Sequence, residues 1–181
     1  MNLQAVLAPI VHLFEQTRIP YAVIGGYAVA AWGELRATRD VDFLCNAPDI
    51  GKLKSALKSA GYVFEHRTGD LEDPISDVIR IDTGSTGSIF EIDVLAGIRG
   101  EPPGLLQRSR TVPFQGMEVK VAGPEDMIIL KLLGGSPLDL EDAHGILRVQ
   151  KDAVSRELLR QICPDQLSEA LAGILSEVPN R

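Results

Sequence analysis

Two short acidic patterns, Asp40-Val41-Asp42 and Glu91-Ile92-Asp93, alternate with apolar residues. In a strand, side chains two positions apart share a face and lie about 6–7 Å apart. Carboxylates so placed repel unless water or a cation intervenes, and hard cations such as Mg²⁺ take oxygen ligands of this kind. Asp93 lies in the apolar run 89–95, where a carboxylate needs a partner. Upstream, the run Tyr21-Ala22-Val23-Ile24 stops at Gly25-Gly26. Glycines between a strand and a helix let a backbone approach a ligand, and the helix start offers N–H groups suited to phosphate. Each feature alone also fits a plainer structure: a tight turn, a solvated strand end, or the wet side of an antiparallel sheet. Together they point further. If the two acidic strands are neighbours, Asp40, Asp42 and Asp93 converge on one patch. Three carboxylates suit two metal ions about 4 Å apart that clamp the attacking and leaving oxygens of an in-line phosphoryl displacement. The glycines would hold the leaving polyphosphate.

The elements that must position these groups follow from periodicity. Leu3, Val6, Leu7, Ile10, Val11 and Phe14 have helical spacing, which predicts a helix over 2–17 ended by Pro20. A buried strand over 21–24 leads into an alanine-rich helix over 27–32. Val41, Phe43 and Leu44 mark a second strand, and 48–60 a helix capped by Gly61. Residues 62–65, 78–82 and 89–95 alternate as strands do, with a hairpin turn at Gly84-Ser85-Thr86-Gly87. Residues 96–110, rich in Gly and Pro, read as loop, and 111–114 with 118–121 as a small hairpin. From Gly123-Pro124 onward the pattern is helical, over 124–134, 138–149, 152–162 and 165–177. The expected architecture is an α/β (α+β) core over 1–122 and a helical part over 123–181, the two able to share one core.

Composition bounds the partners. The chain has 181 residues and a net charge of −7, which excludes a generally basic nucleic-acid coat but not a local basic groove. Two distant cysteines, Cys45 and Cys163, fit reduced thiols rather than a disulfide framework. No apolar run is long enough to span a membrane, and the N-terminal stretch lacks the basic start of a signal peptide. A cytoplasmic location is expected.

The stretch Tyr21 to Leu44, YAVIGGYAVAAWGELRATRDVDFL, resembles the signature of the DNA polymerase β-like nucleotidyltransferases: an apolar strand, a glycine pair, a short helix, then Asp-x-Asp, with an aspartate on a later strand. It is more closely similar to the abortive-infection-type (AbiEii-like) minimal nucleotidyltransferases, in which Arg-x-Thr-x-Asp-x-Asp corresponds to Arg36-Ala37-Thr38-Arg39-Asp40-Val41-Asp42. A later Pro-Glu-Asp, a lysine and an acidic helix match Pro124-Glu125-Asp126, Lys131 and Leu138-Asp139-Leu140-Glu141-Asp142.

The resemblance implies a mixed sheet flanked by helices and followed by a small helical part. It implies that Asp40, Asp42 and Asp93 bind two Mg²⁺ ions, with Asp93 also orienting or deprotonating the attacking hydroxyl. Gly25 and Gly26 would cradle a nucleoside triphosphate, with Arg36, Thr38 and Lys131 contributing to nucleotide binding and Asp142, then Asp139, near the cleft. The expected reaction is Mg-dependent transfer of NMP from NTP to a hydroxyl on a tRNA end, a protein side chain or a small molecule such as an aminoglycoside, releasing pyrophosphate. A cognate toxin or antitoxin protein is an implied partner. Two departures, Gly26 where serine is common and no arginine in 133–138, motivate an alternative: a non-catalytic or antitoxin-like binding module on the same fold. A metal-dependent phosphohydrolase is a third reading.

Other residues suggest less. His12, His66 and His144 lack zinc spacing and read as surface or helix-face residues. Cys45, just after the acidic strand, reads as a buried thiol that could lie near the site. Lys52, Lys54 and Lys58 suit a solvated helix face, whereas Arg36, Arg39, Arg99, Arg108 and Arg110 are candidates to line an anionic groove.

Overall fold

A computed structural model describes residues 3–33, 38, 40–82, 91–114 and 116–178. Helix α1 (Leu3–Thr17) buries Leu3, Leu7, Ile10, Val11 and Phe14 along one stripe. Strand β1 (Tyr21–Ile24) is buried throughout and runs directly into α2 (Gly25–Trp32), which starts at the glycine pair rather than at Tyr27. Then come β2 (Asp40–Cys45), α3 (Ile50–Ser59), β3 (Val63–Thr68), β4 (Ile75–Asp82) and β5 (Glu91–Ile98). A one-turn helix α4 (Leu105–Arg108) precedes the hairpin of β6 (Arg110–Phe114) and β7 (Met117–Val121). Four helices close the chain: α5 (Pro124–Gly134), α6 (Pro137–Val149), α7 (Arg156–Ile162) and α8 (Ser168–Glu177). Arg36, Arg39 and the turn expected over 84–87 lie outside the described residues.

Other boundaries change as well. The loop expected over 96–110 is shorter, because β4 keeps pairing with β5 as far as Ile75↔Ile98 and carries the ladder past Gly97. The helix expected over 152–162 starts only at Arg156, where the Ser155 hydroxyl caps it by accepting from Leu158 N at 3.1 Å.

The strands form one mixed sheet in the order β3-β4-β5-β2-β1-β7-β6. Neighbours are antiparallel except β2·β5 and β1·β7, which are parallel. Alternation divides the sheet into two faces. Val41, Phe43, Ile92 and Val94 point to the face covered by α1 and α3, where the Phe14 ring stacks on Tyr21 at 4.9 Å and tilts against Phe43 at 5.4 Å. Asp40, Asp42 and Asp93 alternate to the opposite face, where Asp42 lines a cavity against α5. One buried cluster takes in residues from both parts of the chain, among them Phe14, Phe43 and Ile92 with Met127, Ile128 and Leu147.

The join between the parts is held by polar contacts. Ala122 N donates to Val23 O at 3.0 Å, and the Trp32 indole donates to Ala122 O at 2.6 Å. Asp126, 1% exposed, accepts both arms of the Arg108 guanidinium at 3.1 and 2.5 Å. Burial pushes the Asp126 carboxyl above its ordinary value, against the opposing pull of Arg108. Glu125, also buried, accepts from Arg110 at 3.3 Å and from Ser155 N at 2.8 Å. Pro124-Glu125-Asp126 thus ties the start of α5 to the lead into β6 and to α7. Arg108 and Arg110, expected as candidates to line an anionic groove, are paired with the buried carboxylates of Asp126 and Glu125. Removing one member of a buried ion pair strands the other. Asp126→Ala is therefore expected to destabilise the protein by about 3–5 kcal/mol in urea unfolding; a loss under about 1 kcal/mol would contradict this role.

Candidate active site

Asp42 and Asp93 are Cα partners in the parallel β2·β5 ladder, and Asp40 is paired with Glu91 in the same register. Paired residues of parallel neighbours point to the same face and stand about 4.8 Å apart. The register therefore sets two carboxylates side by side, with Asp40 two positions along. Asp40 is exposed, Asp42 half-buried, and the Asp93 side chain 14% exposed.

Gly25 opens α2 directly against Asp42. Its φ is +65°, and a Cβ there would overlap the Asp42 carboxylate. Only glycine satisfies both demands. The start of α2 has no side-chain cap, so its N–H groups and partial positive charge favour the nearby carboxylate and suit phosphate oxygens equally. Gly26 is buried within the same turn. Thr38 is half-buried; its hydroxyl donates to Asp40 O at 3.3 Å and its carbonyl accepts from the Tyr27 hydroxyl at 3.4 Å, which ties the approach to β2 onto α2.

A cavity of about 350 Å³ runs from Gly25 and Asp42 between the sheet and α5. Ile24 and Leu95 form one wall, Met127 and Leu130 the other, and Lys131, Asp139 and Arg99 supply charge. Arg99 also holds the β3–β4 loop by donating to the carbonyls of Leu71 and, at 3.1 Å, Asp73. Lys131 lies between Asp139 Oδ1 at 2.8 Å and Asp142 Oδ2 at 2.9 Å. Asp139 lines the cavity itself, and Asp142, 6% exposed, stands behind Lys131 at its wall. Asp139 also completes a capping box with Ser136 at the start of α6.

Arg80 is the residue the sequence reading missed. It is the antiparallel partner of Asp93, and its Nε and Nη2 donate to Asp93 Oδ1 and Oδ2 at 2.9 and 2.7 Å. Its Nη2 is also 3.7 Å from Glu91. Bonding to Asp93 holds the guanidinium above its already high ordinary pKa. Alternation marked the segment of Arg80 as a strand, but its pairing with Asp93 is a matter of the β4·β5 register, which residue pattern alone does not specify.

Asp42 and Asp93, on adjacent strands, offer the carboxylate oxygens that a hard divalent cation takes, and a cationic side chain already stands at Asp93. Among the described residues, no three acidic, histidine or cysteine side chains are gathered into a metal-holding group. Asp93, with both oxygens on Arg80, is turned to the arginine rather than into a shared cage.

The remaining candidates lie elsewhere. Cys45 is buried on the α1/α3 face, not beside the acids, and burial pushes its thiol up to about 12. His66, expected at the surface, is a half-buried bridge. Lys54 Nζ donates to its Nδ1 at 2.9 Å, which leaves Nε2–H to donate to Asp77 at 2.8 Å. His12 contacts Gln16, and His144 lies 3.6 Å from Glu177.

The profile of a family described as "Nucleotidyltransferase of unknown function (DUF6036)" matches residues 1–178, and the chain belongs to that family. Among solved structures it is similar to ANT(2'')-Ia in complex with adenylyl-2''-tobramycin, at 13% identity over 99% of this chain and 100% of that one, TM-score 0.61. It is similar to an antigenic nucleotidyltransferase-like protein from Paracoccidioides brasiliensis, at 19% identity over 98% and 96%, TM-score 0.56. It is also similar to the lincosamide antibiotic adenylyltransferase LnuA with lincomycin bound, at 16% identity over 81% and 97%, TM-score 0.50. At these identities the likeness establishes the nucleotidyltransferase fold. No curated protein matches the chain.

Partial burial alone would raise the Asp139 carboxyl, but bonds from Lys131 and Ser136 outweigh it and hold it below its ordinary value of 3.8. A carboxyl depressed on folding stabilises the protein above its unfolded pKa and loses that contribution as pH falls through the folded value. Asp139→Asn is expected to destabilise the protein by about 1–2 kcal/mol at neutral pH. The difference from wild type should shrink as unfolding is measured below about pH 4; a pH-independent difference would contradict the assignment.

Proposed function

We propose that this chain is a Mg²⁺-dependent nucleotidyltransferase that moves NMP from NTP onto a hydroxyl acceptor. The observation that carries the reading is the Asp42↔Asp93 register beside a glycine-opened helix and a lysine-bearing cavity. Asp40, Asp42 and Asp93 would hold two metal ions; when bound, these neutralise phosphate charge and favour the ionised acceptor hydroxyl. The chain's own part is positioning. The start of α2 at Gly25 and Gly26 binds the leaving phosphates, and Lys131, shared with Asp139 and Asp142, sets the charge of the cavity wall. The acceptor oxygen bonds to the α-phosphorus, the bond to the β-phosphate oxygen breaks, pyrophosphate leaves, and Asp93 orients the hydroxyl or takes its proton. Catalysis of this kind is chiefly alignment and charge stabilisation.

The acceptor classes are an RNA end, a protein side chain and a small hydroxylated molecule. The antibiotic ligands named with two fold relatives support the last, and the acidic chain disfavours a large RNA. The AbiEii-like subtype, with a toxin or antitoxin partner, and a cytoplasmic location belong to the same proposal. No helix among the described residues is long and apolar enough to cross a membrane. Division of the chain at 122/123 into a catalytic core and a helical part that completes the cavity is also proposed. The second reading, a non-catalytic binding module, draws on the Arg80 clamp over Asp93.

Titration of NTP with Mg²⁺ into wild type and into Asp40→Ala/Asp42→Ala tests the site. Wild type is expected to bind, and the double variant to lose binding. Equal binding, or none by either protein, would overturn the assignment. With acceptor pools and NTP, wild type should release pyrophosphate with a matching nucleotidylated adduct by mass spectrometry, and Asp42→Asn should lower that rate by about 10²-fold or more. Tight partner binding without any adduct would favour the module.

A further inference from the structure

Arg80 occupies a special place in the charge balance of the site. The parallel register puts Asp42 and Asp93 side by side, and carboxylates on paired positions repel unless water or positive charge intervenes. In the structure that charge on Asp93 is a guanidinium, which uses two nitrogens on the two carboxylate oxygens. Such forked pairing is directional and strong. It engages the same oxygens that a divalent ion shared with Asp42 would take, and it sets a unit positive charge 2.7 Å from one of them. The Arg80 side chain is 50% exposed, so it can leave toward solvent, and Glu91, 3.7 Å from its Nη2, offers a second carboxylate on the same strand as Asp93. The Asp93 side chain is only 14% exposed and stays where its strand holds it.

We propose that Arg80 is a positioning residue that holds Asp93 while the site is empty and yields this carboxylate when metal and nucleotide arrive. The inference rests on the nucleotidyltransferase reading above and adds to it how the site is loaded. Arg80 keeps the adjacent acids from repelling, opposes binding of free metal ions, and couples release of Asp93 to the incoming triphosphate. Once released, Asp93 has an oxygen available to the acceptor hydroxyl, and the guanidinium can turn to Glu91.

The test is Mn²⁺ binding to the full chain, with and without NTP, by calorimetry and by the loss of the free-ion electron paramagnetic resonance signal. Wild type, Arg80→Gln, Arg80→Lys and Asp93→Asn are compared, with circular dichroism as the fold control. Arg80→Gln is expected to bind Mn²⁺ alone about tenfold tighter than wild type or more. Arg80→Lys, which keeps the charge but loses the fork, should fall between them, and Asp93→Asn should bind more weakly. Tighter binding is a change that structural damage does not produce. If Arg80→Gln misfolds, Arg80→Lys carries the test, and an affinity no higher than wild type overturns the proposal. Unchanged or weaker binding by a folded Arg80→Gln also overturns it and makes the arginine a fixed prop for Asp93. Those results leave the nucleotidyltransferase reading intact; failure of wild type to bind Mn²⁺ with or without NTP overturns both.

Discussion

Two like charges fixed in adjacent parallel strands are the constraint around which this site is built. Asp42 and Asp93 cannot separate, because their backbones are locked in register along β2 and β5. Their repulsion must be met from outside the pair. The structure meets it on one side with Arg80 and on the other with the start of α2, whose first residue must be glycine to fit against Asp42. A phosphate-bearing ligand and its cations present the same electrostatic pattern. In the proposed reaction cycle, the cations that arrive with phosphate take over the charge compensation that Arg80 and the start of α2 give to this pair.

The helical part answers a second charge problem. Lys131 would be costly to bury alone, and Asp139 and Asp142 on the next helix pair with it at the cavity wall. Glu125 and Asp126 are buried at the other end of α5 with Arg110 and Arg108. Helix α5 is thus pinned at its start by structural ion pairs, and near its end it carries the ion-pair cluster that faces the candidate site. Apolar packing of Met127, Ile128 and Ile129 fixes the helix between them. Helix α5, which carries the cavity wall opposite Asp42, is thus held by ion pairs toward both ends and by apolar packing between them.

Much of the fold was legible because it rests on local pattern. Apolar spacing marked α1, the glycine pair marked the β1–α2 junction, and alternating acids marked β2 and β5. The Pro-Glu-Asp motif was visible, but its role was not: the partners of Glu125 and Asp126 come from 108, 110 and 155, and burial is a tertiary property. Arg108 and Arg110 read as candidates for an anionic groove for the same reason. Arg80 escaped notice because its importance is a matter of register across a hairpin. His66 looked unremarkable until α3 and β4 brought Lys54 and Asp77 to its two nitrogens. In each case residue type was readable, and the identity of the neighbour was set by how elements pack.

A crystal structure of the full chain with Mg²⁺ and a non-hydrolysable NTP tests the central claim most directly. The account predicts ions bridging oxygens of Asp42 and Asp93 to the triphosphate, phosphates against the start of α2, and Arg80 withdrawn from Asp93. Nucleotide bound away from these acids, or ordered at the site with Asp93 still held by Arg80 and no ion on Asp42, would contradict it.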